Sequence, residues 1–364
     1  MIVVVADDLT GAAELAGIAF SHGLNVEVQT EFNPKTDVKV VCLDTNTRLL
    51  ATEDAAAKLR VIAKRIMAAK PDWIYKKTDS VLRGNIAAEL HTLLEATART
   101  RAIFIPANPS RHRVIRGGHY FIEDMPLHET DFADDPHHPA TTSVVSKIIG
   151  NDPAIQIPDA RSESDLDKHA RQCDSLVLPA GAADFFAANL CAQGHETAPV
   201  ETQPHSGYTL FVCGSMSAWA NQRAQQCEIH GVPVCVMPGE LLGRSNNSAI
   251  LHDWVSRACA TLTETETVML AIGRQKAIDH PAMLEERLGH AMAMVLAQME
   301  VKRLLLEGGA TASAALCRMK WAHLRVAESA ALNLPGLEVP NTDVPRIFMK
   351  PGSYDWPESV WPKR

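Results

Sequence analysis

Short runs of consecutive apolar residues recur through the first half of the chain, separated by stretches in which apolar positions return every three or four residues. Ile2 to Val5, Lys39 to Leu43, Trp73 to Tyr75, Ala102 to Ile105 and Ser175 to Leu178 read as strands. Because these runs are continuous and do not alternate with polar residues, they predict strands buried on both faces, as in a parallel sheet covered by helices. Between them, Thr52 to Ala69 carries Ala56, Leu59, Ile62, Ala63 and Ile66 at helical spacing, with Thr52 as N-cap. Ile86 to Thr97 predicts a second helix that buries Ile86, Leu90, Leu93 and Leu94. The alternation is that of βαβ units.

From Pro106 to Ile157 the rhythm breaks into Pro, His, Gly and Asp, too long for an ordinary connector and expected to wrap near a site. A polar, proline-containing stretch around Thr197 to Gly207 reads as a linker, after which a second rhythm begins. Its strands are predicted at Thr209 to Cys213, Val232 to Met237, Val268 to Ile272, Arg303 to Leu306 and Arg346 to Met349. Helices are predicted at Ala218 to His230, near Ala249 to Leu262, at Pro281 to Met299 and at Thr311 to Lys320. The expected fold is therefore α/β in two domains, residues 1–203 and 204–364, each a mainly parallel sheet flanked by helices, with a ligand cleft between them. A length of 364 residues agrees with two domains.

Composition narrows the function classes. Hydrophobic residues make up 46% and charged residues 21%, as in soluble globular proteins. The net charge of −8 comes without any basic block, so nucleic acid is not an expected partner. No run approaches the apolar length of a membrane span, and no signal peptide is read at the start. The eight cysteines are scattered singly, several within apolar runs, which favours reduced thiols and a cytoplasmic location over a disulfide framework.

Ligands of open parallel sheets bind beyond the carboxyl ends of the strands. In the first half these positions hold Asp7 and Asp8, then Asp44 to Arg48, then Lys76, Lys77 and Asp79, then Asn108 to Arg113. Carboxylates and cations brought to one edge suit a small ligand that carries both an anionic group and hydroxyls. Asp8 or Thr10 as a helix cap would explain one polar residue of Ala6 to Ala12, but not two adjacent aspartates. A carboxylate held beside a cation can take the proton of a substrate hydroxyl, as phosphoryl transfer requires. Lys76 to Asn85 adds two Lys, an Asp, a Ser and an Arg directly ahead of a helix, where Ser80 or Asn85 would also serve as a cap.

Strand ends in the second half are rich in glycine instead: Gly214 and Ser215, Gly308 and Gly309, then Lys350, Pro351 and Gly352. Glycine lets backbone N–H groups approach a phosphate, and a helix start behind it adds favourable partial charge. Neither GxxxxGK[ST] nor GxGxxG occurs, which disfavours a P-loop enzyme and a dinucleotide dehydrogenase. His112, His119, His128, His137 and His138 crowd one loop region, but their spacing matches no zinc pattern and no dedicated metal site is expected.

Together these segments resemble a known family. ADDLTGA at Ala6 to Ala12, KKTDSVLRGN at Lys76 to Asn85, PANPSRHRVIRGGHY at Pro106 to Tyr120 and HETDFADDPHHP at His128 to Pro139 are similar to the N-terminal sugar-acid-binding domain of the four-carbon acid sugar kinases. VCGSMS at Val212 to Ser217, EGGATA at Glu307 to Ala312 and FMKPGSY at Phe348 to Tyr354 resemble that family's C-terminal nucleotide-binding domain. The resemblance implies a kinase that uses ATP and Mg²⁺ to phosphorylate the terminal hydroxyl of threonate, erythronate or 3-oxo-tetronate. The candidate catalytic base is Asp7 or Asp8, with Asp79 next, and the resemblance implies Asp8, Arg48, Lys77, Asp79, Ser80 and Arg83 on the sugar acid. Ser215, Gly308, Gly309, Ala310, Thr311, Lys350 and Gly352 would hold ATP. Two positions depart from the pattern: Ala310 stands where the family has an acid, and Asp355 where it has a glycine. Ala310 motivates the rival reading, a non-catalytic sugar-acid binding or sensing protein derived from such a kinase. A membrane partner is not expected, and the resemblance leaves room for a homo-oligomer.

Overall fold

The computed structural model describes the chain except for residues 136–137, 199–205, 221, 244–246, 275–279, 332–333, 353 and 363–364. It divides into two compact units, Met1–Pro199 and Val200–Arg364. The boundary expected between 203 and 204 falls outside the described residues.

The first unit begins β1 (Ile2–Ala6), α1 (Leu9–Ser21), β2 (Val26–Gln29), β3 (Val40–Asp44), α2 (Thr52–Ala68), β4 (Trp73–Lys77), α3 (Ile86–Thr97) and β5 (Arg101–Ile105), alternating strand and helix except between β2 and β3, which a loop joins. Then come β6 (Arg113–Arg116), β7 (His119–Ile122), β8 (Met125–Pro126), α4 (Val145–Ile149), β9 (Ile155–Gln156), α5 (Glu163–Ala170), β10 (Val177–Gly181) and α6 (Ala183–Ala192). The sheet order is β2-β3-β1-β4-β10-β5-β9, with every pairing parallel. Val3, Val4 and Val5 are fully buried, as continuous apolar runs predict. The long irregular stretch contains a small antiparallel sheet, β6-β7-β8.

One expectation fails locally. Thr52 does not cap α2: Ala51 holds the N-cap position without a side-chain bond, and the Thr52 hydroxyl instead donates to Asn85 Oδ1 at 2.8 Å. Asp8, in contrast, does cap α1, accepting from Gly11 N.

The second unit runs β11 (Tyr208–Cys213), α7 (Met216–Ala220), α8 (Arg223–Ile229), β12 (Val234–Val236), α9 (Ser248–Thr265), β13 (Thr267–Ala271), α10 (Pro281–Gln298), β14 (Val301–Glu307), α11 (Gly309–Met319), β15 (His323–Ala331), β16 (Leu334–Glu338) and β17 (Arg346–Lys350). Its order is β12-β13-β11-β14-β17-β16-β15, parallel as far as β17 and antiparallel from there. The single helix expected from Ala218 to His230 is broken, with Gln222 in the left-handed region at φ 63°. Phe211, Met269, Leu305 and Phe348 form the core with Trp356 and Trp361 of the C-terminal tail, and the rings of Phe211 and Trp361 stack at 5.3 Å. Among the described residues, no helix is long and apolar enough to cross a membrane.

Candidate active site

Parallel register decides what meets at the sheet edge of the first unit. Ala6 pairs with both Asp44 and Lys77, so the residues after β1, β3 and β4 emerge side by side. That is where the strand order reverses direction around β1, the place where open α/β sheets bind ligands. Thr47 N and Arg48 N both donate to Asp7 O, which ties the loop after β3 to the end of β1.

Arg48 is the hub. Its guanidinium forks onto both aspartates, with Nε and Nη2 on Asp7 at 2.8 and 2.9 Å and Nη1 and Nη2 on Asp8 at 2.8 and 2.9 Å. Asp79 Oδ1 lies 3.6 Å from Arg48 Nη1 and is itself gripped by Arg83 through Nε and Nη2 at 2.8 and 3.0 Å. Arg83 Nη1 reaches Asp135 at 3.3 Å. Burial raises the Asp7 carboxyl, and Arg48 and Lys76 more than reverse this, leaving it below the usual carboxylate range. Asp79 is likewise held low: Arg83 and Arg48 outweigh its burial. Asp7 is 2% exposed, whereas the Asp8 side chain is 18% exposed and also accepts from the Thr10 hydroxyl at 2.6 Å. Of the two adjacent aspartates, Asp8 is the one a ligand can reach.

Around this centre the other predicted residues take separate positions. Lys77 Nζ lies 3.5 Å from Glu14 and donates to Thr78 O, while Lys76 is fully buried against Glu89 at 2.8 Å. Ser80 Oγ accepts from Arg113, and Ser80 O from the Tyr120 hydroxyl. Glu14, Glu89 and Asp135 were not singled out in sequence as partners of these cations. The Thr78 hydroxyl is buried without a hydrogen-bond partner among the described residues. Asp44, at the end of β3, is pushed up to about 7 by burial, with Asp8 and Asp7 adding to the rise and the Asn46 N–H opposing it.

In the second unit Ser215, Gly308 and Thr311 come together. Gly308 adopts φ 105°, a left-handed conformation that favours glycine, and α11 starts directly after it through Gly309 and the exposed Ala310. The Thr311 hydroxyl accepts from Gly214 N at 3.1 Å, and Ser215 Oγ accepts from Ala218 N at 3.3 Å. Glu285 of α10, which sequence reading passed over, hydrogen-bonds with Thr311, and burial raises its carboxyl to about 7. Lys350 does not stand open at its strand end. It pairs with buried Glu307, donates to the carbonyls of Pro351 and Tyr354 and lies 4.8 Å from the Trp356 ring centre. Arg223 completes that cluster at 2.6 Å from Glu307 Oε1 and also meets Asp355 at 3.6 Å. Gly352 is buried.

Two units with mainly parallel sheets, one presenting a carboxylate–guanidinium edge and the other a glycine turn ahead of a helix, define an α/β protein. The family model described as the sugar-binding N-terminal domain matches residues 2–178. The D-threonate kinase of Bordetella bronchiseptica is 27% identical over 367 residues, spanning 91% of this chain and 88% of its own. The D-erythronate kinase of Heliobacterium modesticaldum is 29% identical over 154 residues, which is 41% of this chain and 35% of its own. A Haemophilus influenzae protein of known structure superposes with a TM-score of 0.72 at 18% identity, covering 97% of each chain, and so shares the fold. The chain is thus similar over residues 2–178 to the sugar-binding N-terminal domain and over most of its length to kinases of four-carbon sugar acids.

Proposed function

We propose that the protein transfers the γ-phosphoryl group of ATP to the terminal hydroxyl of a four-carbon sugar acid such as threonate, erythronate or 3-oxo-tetronate. On this reading the first unit takes the acid and the second takes the nucleotide. The observation that carries it is the Asp7–Arg48–Asp8 fork, which holds a partly exposed carboxylate in a fixed orientation at the strand ends. Asp8 accepts a hydrogen bond from the substrate hydroxyl and takes its proton as the oxygen bonds to the γ-phosphorus. The bond from that phosphorus to the β–γ bridging oxygen breaks, and ADP carries the electron pair away. Positioning and charge stabilisation dominate such a transfer.

Both arginines expected to grip the anion are occupied by the chain's own carboxylates. Arg83, whose side chain is 29% exposed, keeps N–H groups beyond those on Asp79 and Asp135 for the substrate carboxylate. Arg48 acts through Asp7 and Asp8. In the second unit, Gly308 to Thr311 supply backbone N–H groups to phosphate at the head of α11. Mg²⁺ bound with ATP would neutralise charge on the β- and γ-phosphates.

A screen of C4 sugar acids with ATP and Mg²⁺, read as ADP release, tests the proposal. ADP formed with one or a few acids supports it. Binding of an acid without turnover supports instead the sensing protein that Ala310 motivates, and no response to any acid removes both readings.

A further inference from the structure

The geometry points to Glu285 as the acidic group of the nucleotide site, the carboxylate that meets the metal ion accompanying ATP; this rests on the kinase reading above. The starting fact is a gap. The first turn of α11 carries Ala310, an exposed residue with no side-chain oxygen, so the helix start itself offers no acid. A Mg²⁺ ion bound with a nucleotide takes most of its ligands from phosphate and water but uses one or two protein carboxylates.

α10 brings a carboxylate to the same turn from outside it. Glu285 hydrogen-bonds with Thr311, the residue after Ala310, and Thr311 Oγ1 in turn accepts from Gly214 N at the end of β11. The closeness of this group is measured at Gly214: a Cβ built there would lie 2.5 Å from Thr311 Oγ1 and 2.6 Å from each Glu285 oxygen. Any side chain at 214 would fill the space between the strand end and the carboxylate. Gly308 borders the same space, since a Cβ on it would lie 3.2 Å from Thr311 Oγ1 and 3.3 Å from Ser215 Cβ. Glu285, Thr311, Gly214, Ser215 and Gly308 therefore form one contiguous wall.

One oxygen of that wall has nothing to do. Glu285 Oε2 is buried and has no hydrogen-bond partner among the described residues. Buried polar atoms are almost always satisfied, so an orphan carboxylate oxygen beside a glycine turn and a helix start calls for a partner from outside the chain. Phosphate is a poor direct partner for the ionised carboxylate, because two anions would face each other. A hard cation bridging carboxylate and phosphate resolves the conflict and satisfies the oxygen. The groups present thus fit a metal–nucleotide complex.

The test is calorimetric titration of ATP into the full-length protein, once with excess Mg²⁺ and once with EDTA, for wild type and Glu285→Gln. The expected result is a loss of at least about tenfold in affinity for Mg²⁺–ATP with affinity for metal-free ATP unchanged, because only the cation contact is removed. Equal Mg²⁺–ATP affinity in the two proteins would overturn the inference. So would an equal loss in both buffers, which would mark Glu285 as a packing residue. Should Glu285→Gln fail to fold by circular dichroism, Glu285→Asp keeps the charge but withdraws it, and the same Mg²⁺-selective weakening is expected of it. A wild-type protein that binds ATP in neither buffer would remove the kinase reading and this inference with it, whereas wild-type binding with an indifferent Glu285 removes the inference alone.

Discussion

Replacing Arg48 by Ala removes the only group that forks onto both Asp7 and Asp8 among the described residues. Asp7 is left almost completely buried, with Asp8 and Asp79 still nearby. Breaking a buried ion pair by deleting one partner costs about 3–5 kcal/mol. Two features of the site reduce this: Lys76 continues to favour the Asp7 carboxylate, and the aspartate can escape part of the penalty by taking a proton. A loss of about 2–4 kcal/mol at pH 7 is the expected outcome. Because the chain has two units, unfolding need not be two-state. The appropriate assay is hydrogen exchange of peptides spanning residues 2–21 across a urea series. The pH dependence follows from the direction of the Asp7 shift. A carboxyl held below its ordinary value contributes stability above about pH 4, and that contribution is lost as pH falls through the folded pKa. Without Arg48, burial dominates and the carboxyl rises, so the variant gains stability on acidification from pH 7 to pH 5 while wild type does not gain from this group. The gap between the two should narrow over that range, and Asp7→Asn in the Arg48→Ala background should recover much of the loss. A gap below about 1 kcal/mol at pH 7, or one constant from pH 5 to pH 7, would refute the account of Arg48 as the counter-charge of this site.

Asp8→Asn should lower kcat at least about tenfold with little change in ATP affinity, since the carboxylate orients the attacking hydroxyl; steady-state kinetics with a check of folding decides it, and unchanged turnover would move the role to Asp79. Arg83→Ala should raise KM for the sugar acid about ten- to a hundredfold through loss of a charge-assisted contact, and an unchanged KM would remove Arg83 from the substrate. Asp44 has the opposite sign from Asp7. Its folded pKa is raised to about 7, so its contribution to stability is full below about pH 4 and lost as pH rises through about 7. Asp44→Asn mimics the neutral acid and should flatten the fall in Tm between pH 4 and pH 7; a profile identical to wild type would show that Asp44 is not buried as an acid.

The parts of the fold legible in the sequence are those where burial on both faces forces unbroken apolar runs, as in β1 and β3. β2 escaped because two of its residues, Glu27 and Gln29, are buried yet polar, and they satisfy each other through a 2.8 Å bond from Gln29 Nε2 to Glu27 Oε1. The antiparallel pair β15 and β16 escaped for a related reason: Glu328 is buried against Arg346 at 3.0 Å, and Pro335 interrupts the second strand. Strand-end position brought Asp7, Asp8, Arg48 and Asp79 into view, the charged cluster ahead of α3 and the family resemblance added Arg83, and the structure gathers them. Pairing was not legible. Arg48 read as an anion receptor because sequence shows that charges converge but not how close they come. The register that sets Ala6 opposite Asp44, and the bonds from Thr47 N and Arg48 N to Asp7 O, deliver the guanidinium to the aspartates before any ligand arrives. Glu285 was invisible for the same reason: beside Glu286 on an amphipathic helix it reads as part of a solvated face, and only the packing of α10 on α11 turns it toward Thr311. On the function proposed above, a substrate anion meets a first unit whose two central guanidinium groups already hold carboxylates of the chain. On that proposal recognition falls to the groups left partly exposed, Asp8 and Arg83, rather than to the most deeply buried members of the cluster.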